Sequence, residues 1–157
     1  MSDEVQPDTN LLPNTLSIGV VASKFNINLS DFLLQRVKQC IFDNGVPLEF
    51  IVERVPGAHE IPAALSLMLK SKRFSCMIAL GVVIKGSTSH HHLVAETSGH
   101  AIQRLILDHG VPIINGIVVT DSYKDAEERI TGSIDRGHEF AHAALQMGHM
   151  QKKWTKT

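Results

Sequence analysis

Apolar positions in this chain fall into two alternating textures: short runs rich in Val and Ile, and longer stretches in which apolar residues return every three or four positions. The first run, Leu16-Ser-Ile-Gly-Val-Val-Ala22, predicts a strand buried on both faces. Beyond it Phe32, Leu33, Val37, Cys40 and Ile41 follow helical spacing, and Asn44-Gly45 closes that helix. The same pair recurs as a strand over 48–52 and a helix over 60–69 after Pro56-Gly57. It recurs again as a strongly apolar strand over 76–84 and a long helix over 89–108 that ends before Gly110. A fourth strand over 112–119 is followed by a short helix over 122–130 and a final one over 135–147, with Gly148 as its stop.

Four apolar strands alternating with helices require βαβ units, hence a parallel sheet covered on both faces. Right-handed crossovers make this a single-domain α/β protein, a three-layer αβα sandwich of the doubly wound, flavodoxin-like kind. Residues 15–157 form that domain. Residues 1–14, with Pro7 and Pro13 and little periodicity, read as an N-terminal arm, either a tail or a segment that gains order against a partner. In such folds ligands bind outside the carboxyl ends of the strands. The loops at 23–26, 55–60 and 85–90 occupy that position.

Composition narrows the function classes. With Lys+Arg 15 against Asp+Glu 16 in 157 residues, the formal net charge is −1, which argues against nucleic acid as the main partner. No apolar run approaches the ~20 residues of a membrane span. The start, Met1-Ser-Asp-Glu-Val-Gln-Pro-Asp8, is acidic and unlike a secretory signal, and points to the cytoplasm. Cys40 and Cys76 lack metal spacing and read as small buried hydrophobes in a reducing compartment.

The sharpest chemical signal is Gly81-Val-Val-Ile-Lys-Gly-Ser-Thr-Ser-His90. A buried strand ends in Lys85-Gly86, and small hydroxyl residues lead into a helix for which Ser89 is the expected N-cap. Free N–H groups and the positive end of the helix dipole favour an anion there. Gly86 lets the backbone approach a ligand, and Ser87 and Thr88 offer hydroxyl donors. The plainer reading is a capped helix with a turn glycine. His90, in the first turn, is placed to shuttle protons to a phosphorylated substrate. The run His90-His91-His92 does not make a metal site, because consecutive helical residues point about 100° apart. His91 and His92 read instead as a solvated or partly packed helix face.

In Val55-Pro-Gly-Ala-His-Glu-Ile-Pro62, Gly57 permits an unusual backbone angle or a close ligand approach. Glu60 either complements the dipole of the following helix or accepts a hydrogen bond from a polar substrate. Phe25-Asn26 is a stacking platform and an amide reader, or a loop aromatic tucked into the core. Arg129 and Arg136 read first as surface charges. His138 and His142 have one metal-compatible spacing but no third ligand.

These segments resemble the 6,7-dimethyl-8-ribityllumazine synthases, the penultimate enzymes of riboflavin biosynthesis. The resemblance is carried by Ser23-Lys-Phe-Asn26, by Val55–Pro62 and by Ala79-Leu-Gly-Val-Val-Ile-Lys-Gly-Ser-Thr-Ser-His90. Weaker matches lie at 116–120, 126–129 and Arg136-Gly137, all in family order from Leu16 to Met147. It implies the condensation of 5-amino-6-(D-ribitylamino)uracil with 3,4-dihydroxy-2-butanone 4-phosphate, with release of phosphate and water and without metal or redox cofactor. It implies that Phe25 stacks on the pyrimidine, that Asn26, Ala58, His59 and Glu60 line the pocket for the uracil and ribityl hydroxyls, and that Val83 and Ile84 supply backbone contacts. Gly86, Ser87 and Thr88 hold the phosphate, helped by Arg129, and His90 transfers protons. Asn115, Arg129 and Arg136 come from a neighbouring subunit, since family members assemble as pentamers, in some cases as icosahedral shells of twelve. On the same resemblance the Val5–Asn14 part of the arm extends a neighbour's sheet. The chain departs from the family pattern at Asn115, where an aromatic is usual nearby, at His59, usually Phe, Tyr or Leu, and at Arg136, usually Lys. Two other readings remain at this point: a non-catalytic flavin- or lumazine-binding paralogue, and a metal-dependent phosphosugar enzyme.

Overall fold

The strands form where β-branched runs are longest. A computed structural model of the chain describes residues 15–155; the expected N-terminal arm, 1–14, lies outside them. Along the chain come β1 (Leu16–Ser23), α1 (Ile27–Asp43), β2 (Leu48–Val55), a 3₁₀ turn (Ala58–Glu60) and α2 (Ile61–Ser71). They are followed by β3 (Cys76–Ile84), α3 (His90–His109), β4 (Ile113–Thr120), α4 (Tyr123–Ile130) and α5 (Arg136–Trp154). All strand pairings are parallel and the order is β2-β1-β3-β4. The expected three-layer α/β sandwich is therefore observed.

Pleat alternation divides the core in two. Leu16, Ile18, Val20 and Ala22 of β1, with Cys76, Ile78, Leu80 and Val82 of β3, pack under α1, α4 and α5. Met77 and Ala79 of β3 and Val21 of β1 point the other way, against Ile61 and Leu65 of α2 and Ile102 of α3. The central strands β1 and β3 are thus apolar on both faces, as their unbroken runs predict.

Helix ends show where sequence signals hold and where they mislead. Gly110 closes α3 at φ 66° and Gly45 follows α1 at φ 80°, both in the left-handed region that glycine adopts without strain. Ser122 caps α4 by accepting from the Asp125 N–H at 3.1 Å. Helix α5 does not stop at Gly148 but runs on to Trp154. Gly148 is a buried position inside the helix, where a Cβ would make ordinary contacts, 3.5 Å from Leu16 Cδ1 and 3.6 Å from Ser75 Cβ. The helix continues because Gln151 is buried beyond it and Lys152 Nζ donates to the Thr15 carbonyl at 2.6 Å. In α1, Phe32 is half exposed, and Leu29 and Leu34 complete the buried stripe in its place. Cys76 is buried, with its thiol pushed up to about 12 by desolvation, whereas Cys40 is only partly covered. Among the described residues no helix is long and apolar enough to cross a membrane.

Candidate active site

The order β2-β1-β3-β4 sends the chain outward in opposite directions from β1 and β3, so the crossovers on either side diverge at their carboxyl ends. A crevice opens at such a switch point. A cleft of about 530 Å³ lies there, walled by Phe25, Asn26 and the 56–60 turn on one side and by Val82–Ile84 on the other. Gly86, Ser87, Thr88, His90, His91 and Val94 complete it.

The loop after β1 is stitched to the loop after β2. Lys24 N–H donates to the Val55 carbonyl at 2.8 Å and Phe25 N–H to the Pro56 carbonyl at 3.0 Å. From the β2 side, Arg54 reaches back to the Ala22 carbonyl at 3.2 Å and the Ser23 carbonyl at 3.1 Å, and the Ser30 hydroxyl also donates to the Ser23 carbonyl. Asn26 takes the left-handed conformation at φ 55°, and its Nδ2 donates to the Val82 carbonyl at 3.0 Å. These ties hold Phe25 as a 72% exposed ring at the cleft mouth. Of the two readings of this residue, the one that tucks the ring into the core is excluded by that exposure.

Glu60 has a local task. Its Oε1 accepts from the Gly57 N–H at 2.9 Å, closing the 3₁₀ turn. Gly57 itself is extended, at φ −141° and ψ 176°, so no unusual backbone angle is involved. Its missing side chain instead leaves room for that carboxylate, since a Cβ would lie 3.3 Å from Glu60 Oε1. His59 and Glu60 are exposed and Ala58 is buried.

At the other end of the cleft, Ser89 occupies the N-cap position of α3 but its hydroxyl makes no capping bond, contrary to expectation. The Thr88 hydroxyl accepts from the His90 N–H at 3.3 Å instead. A Cβ on Gly86 would meet nothing within 4 Å. The turn is therefore open on the cleft side, with Ser87, Thr88 and His90 all exposed.

His91 differs from the sequence reading. It is only 5% exposed, more deeply packed than the solvated or partly packed face expected, and both ring nitrogens lack a hydrogen-bond partner among the described residues. The signal was in the spacing: positions 91, 98 and 102 are the buried face of α3, and His91 begins it. His92 is exposed, with its ring centroid 3.9 Å from that of His91. Among the described residues no three His, Cys, Asp or Glu side chains are grouped to hold a metal ion.

Three expected site residues do not line this cleft. Asn115 is exposed on β4, at the sheet edge, where its Oδ1 accepts from the Ile117 N–H at 3.1 Å. Arg129 lies in the last turn of α4 and donates to the Asp125 carbonyl at 3.1 Å. Arg136 opens α5 and pairs with Glu139 at 2.6 Å.

Comparison with known proteins supplies the family. Residues 15–152 match the family pattern of 6,7-dimethyl-8-ribityllumazine synthase. The chain belongs to the 6,7-dimethyl-8-ribityllumazine synthase family. A synthase of that name from a Polaromonas species is 39% identical over 135 residues, covering 85% of this chain and 86% of the relative. The lumazine synthase of Nitrosospira multiformis is 39% identical over 150 residues, covering 95% and 91%. That of Xanthomonas euvesicatoria is 36% identical over 145 residues, covering 91% and 94%. The shared region thus includes every loop of the cleft and the whole sheet.

Proposed function

We propose that this chain condenses 5-amino-6-(D-ribitylamino)uracil with 3,4-dihydroxy-2-butanone 4-phosphate to give 6,7-dimethyl-8-ribityllumazine, phosphate and water. It is a transferase of riboflavin biosynthesis. The observation that carries this reading is the single cleft in which Phe25, the 58–60 turn, the open Gly86–Thr88 turn and His90 meet.

The chemistry explains the arrangement. An amine attacks the ketone and water leaves to form an imine; the neighbouring carbinol carbon gives up its proton, and the enamine so formed expels phosphate with its C–O bond electrons; the enol that remains takes up a proton to become a carbonyl, on which the second amine closes the ring with loss of a second water. Each step moves a proton and one creates a leaving dianion. Phe25 stacks on the pyrimidine, and Asn26, Ala58, His59 and Glu60 receive the uracil and the ribityl hydroxyls. Val83 and Ile84 offer backbone groups at the open end of β3. Gly86, Ser87 and Thr88 bind the phosphoryl group at the start of α3, where N–H groups and the helix dipole favour negative charge. His90 carries protons between amine, ketone and leaving group. Holding both substrates in register removes most of the entropic barrier to a bimolecular condensation.

The site is completed by a second copy of the chain. Asn115, Arg129 and Arg136 lie outside the cleft of their own subunit, and a neighbour supplies them, Arg129 beside the phosphate. Exposed Leu93 and Leu107 on α3, 57% and 82% accessible, and the outer side of β4, unpaired among the described residues, support self-association, which the family resemblance makes a pentamer. The synthase domain is residues 15–157, with the 1–14 arm outside the described residues, and the enzyme works in the cytoplasm. A non-catalytic binding paralogue is not favoured, since the relatives are named as synthases and His90 stands in the cleft.

Mixing the protein with both substrates accelerates the appearance of lumazine fluorescence over the uncatalysed background, and the acceleration saturates with each substrate. Tight binding of the product without turnover would replace the synthase reading with the paralogue. Native mass measurement on the same sample reads the assembly.

A further inference from the structure

We infer that His91 is a substrate-binding residue that hydrogen-bonds a hydroxyl of the ribityl chain, an inference that rests on the function proposed above. His91 lines the cleft, yet it is 5% exposed and both its ring nitrogens are sheltered and unpartnered among the described residues. A neutral imidazole carries one donor and one acceptor. Leaving both unmade in a buried site is costly, and such a group in a native fold calls for an explanation. A ligand that supplies the missing partner is one.

Its place selects the ligand group. His91, Ser98 and Ile102 form the buried face of α3, and the Ser98 hydroxyl donates to the Ala58 carbonyl at 3.4 Å. This face therefore packs on the 58–60 turn, the side of the cleft assigned to the uracil and its polyol. His90, one residue earlier, is turned about 100° around the helix axis. The two histidines thus serve different parts of the cleft. A hydroxyl, at once donor and acceptor, matches an imidazole that offers one of each. Half a turn of the ring about Cβ–Cγ exchanges nitrogens for carbons with almost no change of shape. That motion changes which ring atoms face the cleft that His91 lines.

The test uses the full-length protein, His91→Phe and His91→Gln. Phe keeps the ring and removes both nitrogens; Gln keeps one donor and one acceptor. Titration with 5-amino-6-(D-ribitylamino)uracil alone reads binding without turnover. His91→Phe is expected to weaken that binding about tenfold, the loss of one good hydrogen bond, and His91→Gln to recover part of it. 5,6-Diaminouracil, which lacks the polyol, should bind wild type and His91→Phe alike. KM for the butanone phosphate should not move. The ligand-free His91→Phe protein should melt no lower than wild type, because two unpaired buried polar atoms are gone. A His91 that merely fills the core predicts the reverse, a lower melting point with unchanged affinity. Equal affinity of wild type and His91→Phe for the ribityl substrate overturns the inference, and equal weakening for both pyrimidines overturns its assignment to the polyol. If wild type binds neither pyrimidine, the synthase reading falls, and this inference with it.

Discussion

The Asn26 side-chain amide donates to the Val82 carbonyl at 3.0 Å, joining the loop after β1 to the end of β3 across the cleft. Because Asn26 also holds a left-handed backbone at φ 55°, two properties of one residue fix the position of Phe25 beside it.

Those two properties can be separated. Asn26→Gly keeps the left-handed backbone and removes the tie, whereas Asn26→Ala loses both and adds strain of about 1 kcal/mol or more. Asn26→Gly should melt close to wild type but raise KM for the pyrimidine substrate several-fold; Asn26→Ala should do both harms. Thermal melts and steady-state kinetics distinguish them, and equal KM for Asn26→Gly and wild type would show that the tie does not orient the platform.

His90 is exposed in the first turn of α3 and bonds to the protein through its backbone N–H, which donates to Thr88 Oγ1 at 3.3 Å. His90→Ala is accordingly expected to leave stability unchanged and to slow turnover about 10²–10⁴-fold, the usual worth of general acid–base catalysis. Substrate KM values should move little. A purely structural His90 would give the opposite pattern.

Two glycines make a matched pair. A Cβ at Gly86 meets nothing within 4 Å, so Gly86→Ala should fold normally yet raise KM for the butanone phosphate by crowding the amide turn. At Gly116 a Cβ would stand 2.7 Å from Leu80 Cδ2 and 2.8 Å from the Ala79 carbonyl, so Gly116→Ala should lose about 1–3 kcal/mol of stability. Denaturant titration with activity assays on both variants checks the contrast.

Acid should loosen the junction between α1 and α5. Arg36 Nη2 lies 2.6 Å from Asp135 Oδ2, and this hydrogen-bonded guanidinium holds the Asp135 carboxyl below its ordinary value. A depressed folded-state pKa stabilises the fold above the unfolded carboxylate value of about 3.9, and the contribution vanishes as pH falls through the folded value. Asp135→Asn, which tolerates the left-handed φ of 56° and still caps α5, should therefore cost at most about 1 kcal/mol at neutral pH. Its deficit against wild type should shrink to nothing as stability curves are followed into acid.

How much was legible in the chain depended on which force set each feature. Strand β3 runs from Cys76 to Ile84, as its unbroken apolar run indicates, because burial on both faces leaves no other reading. The end of α5 was not legible: a glycine that stops a helix and one buried within it look alike in sequence, and here the helix runs on past Gly148 to Trp154. The cleft loops were readable as motifs because small residues, a proline and a helix start coincide there. His91 was hidden inside a run of three histidines, where its identity drew attention to metal chemistry and away from its place on the buried face with Ser98 and Ile102. That Arg54 ties down the end of β1 left no mark in sequence at all, since the partners are backbone carbonyls 31 and 32 positions away.

The divergence of the chain at β1 and β3 has a consequence for evolvability. A hollow made by connectivity needs no particular side chain to hold it open, so the exposed residues at its mouth are relieved of folding duty: Phe25 is 72% exposed, and Gly86 has empty space where a side chain would go. Substitutions there can retune which small molecule is accepted with little thermodynamic penalty, while the two apolar layers beneath stay under strict constraint. Tolerance and specialisation are thus assigned to opposite ends of the same strands.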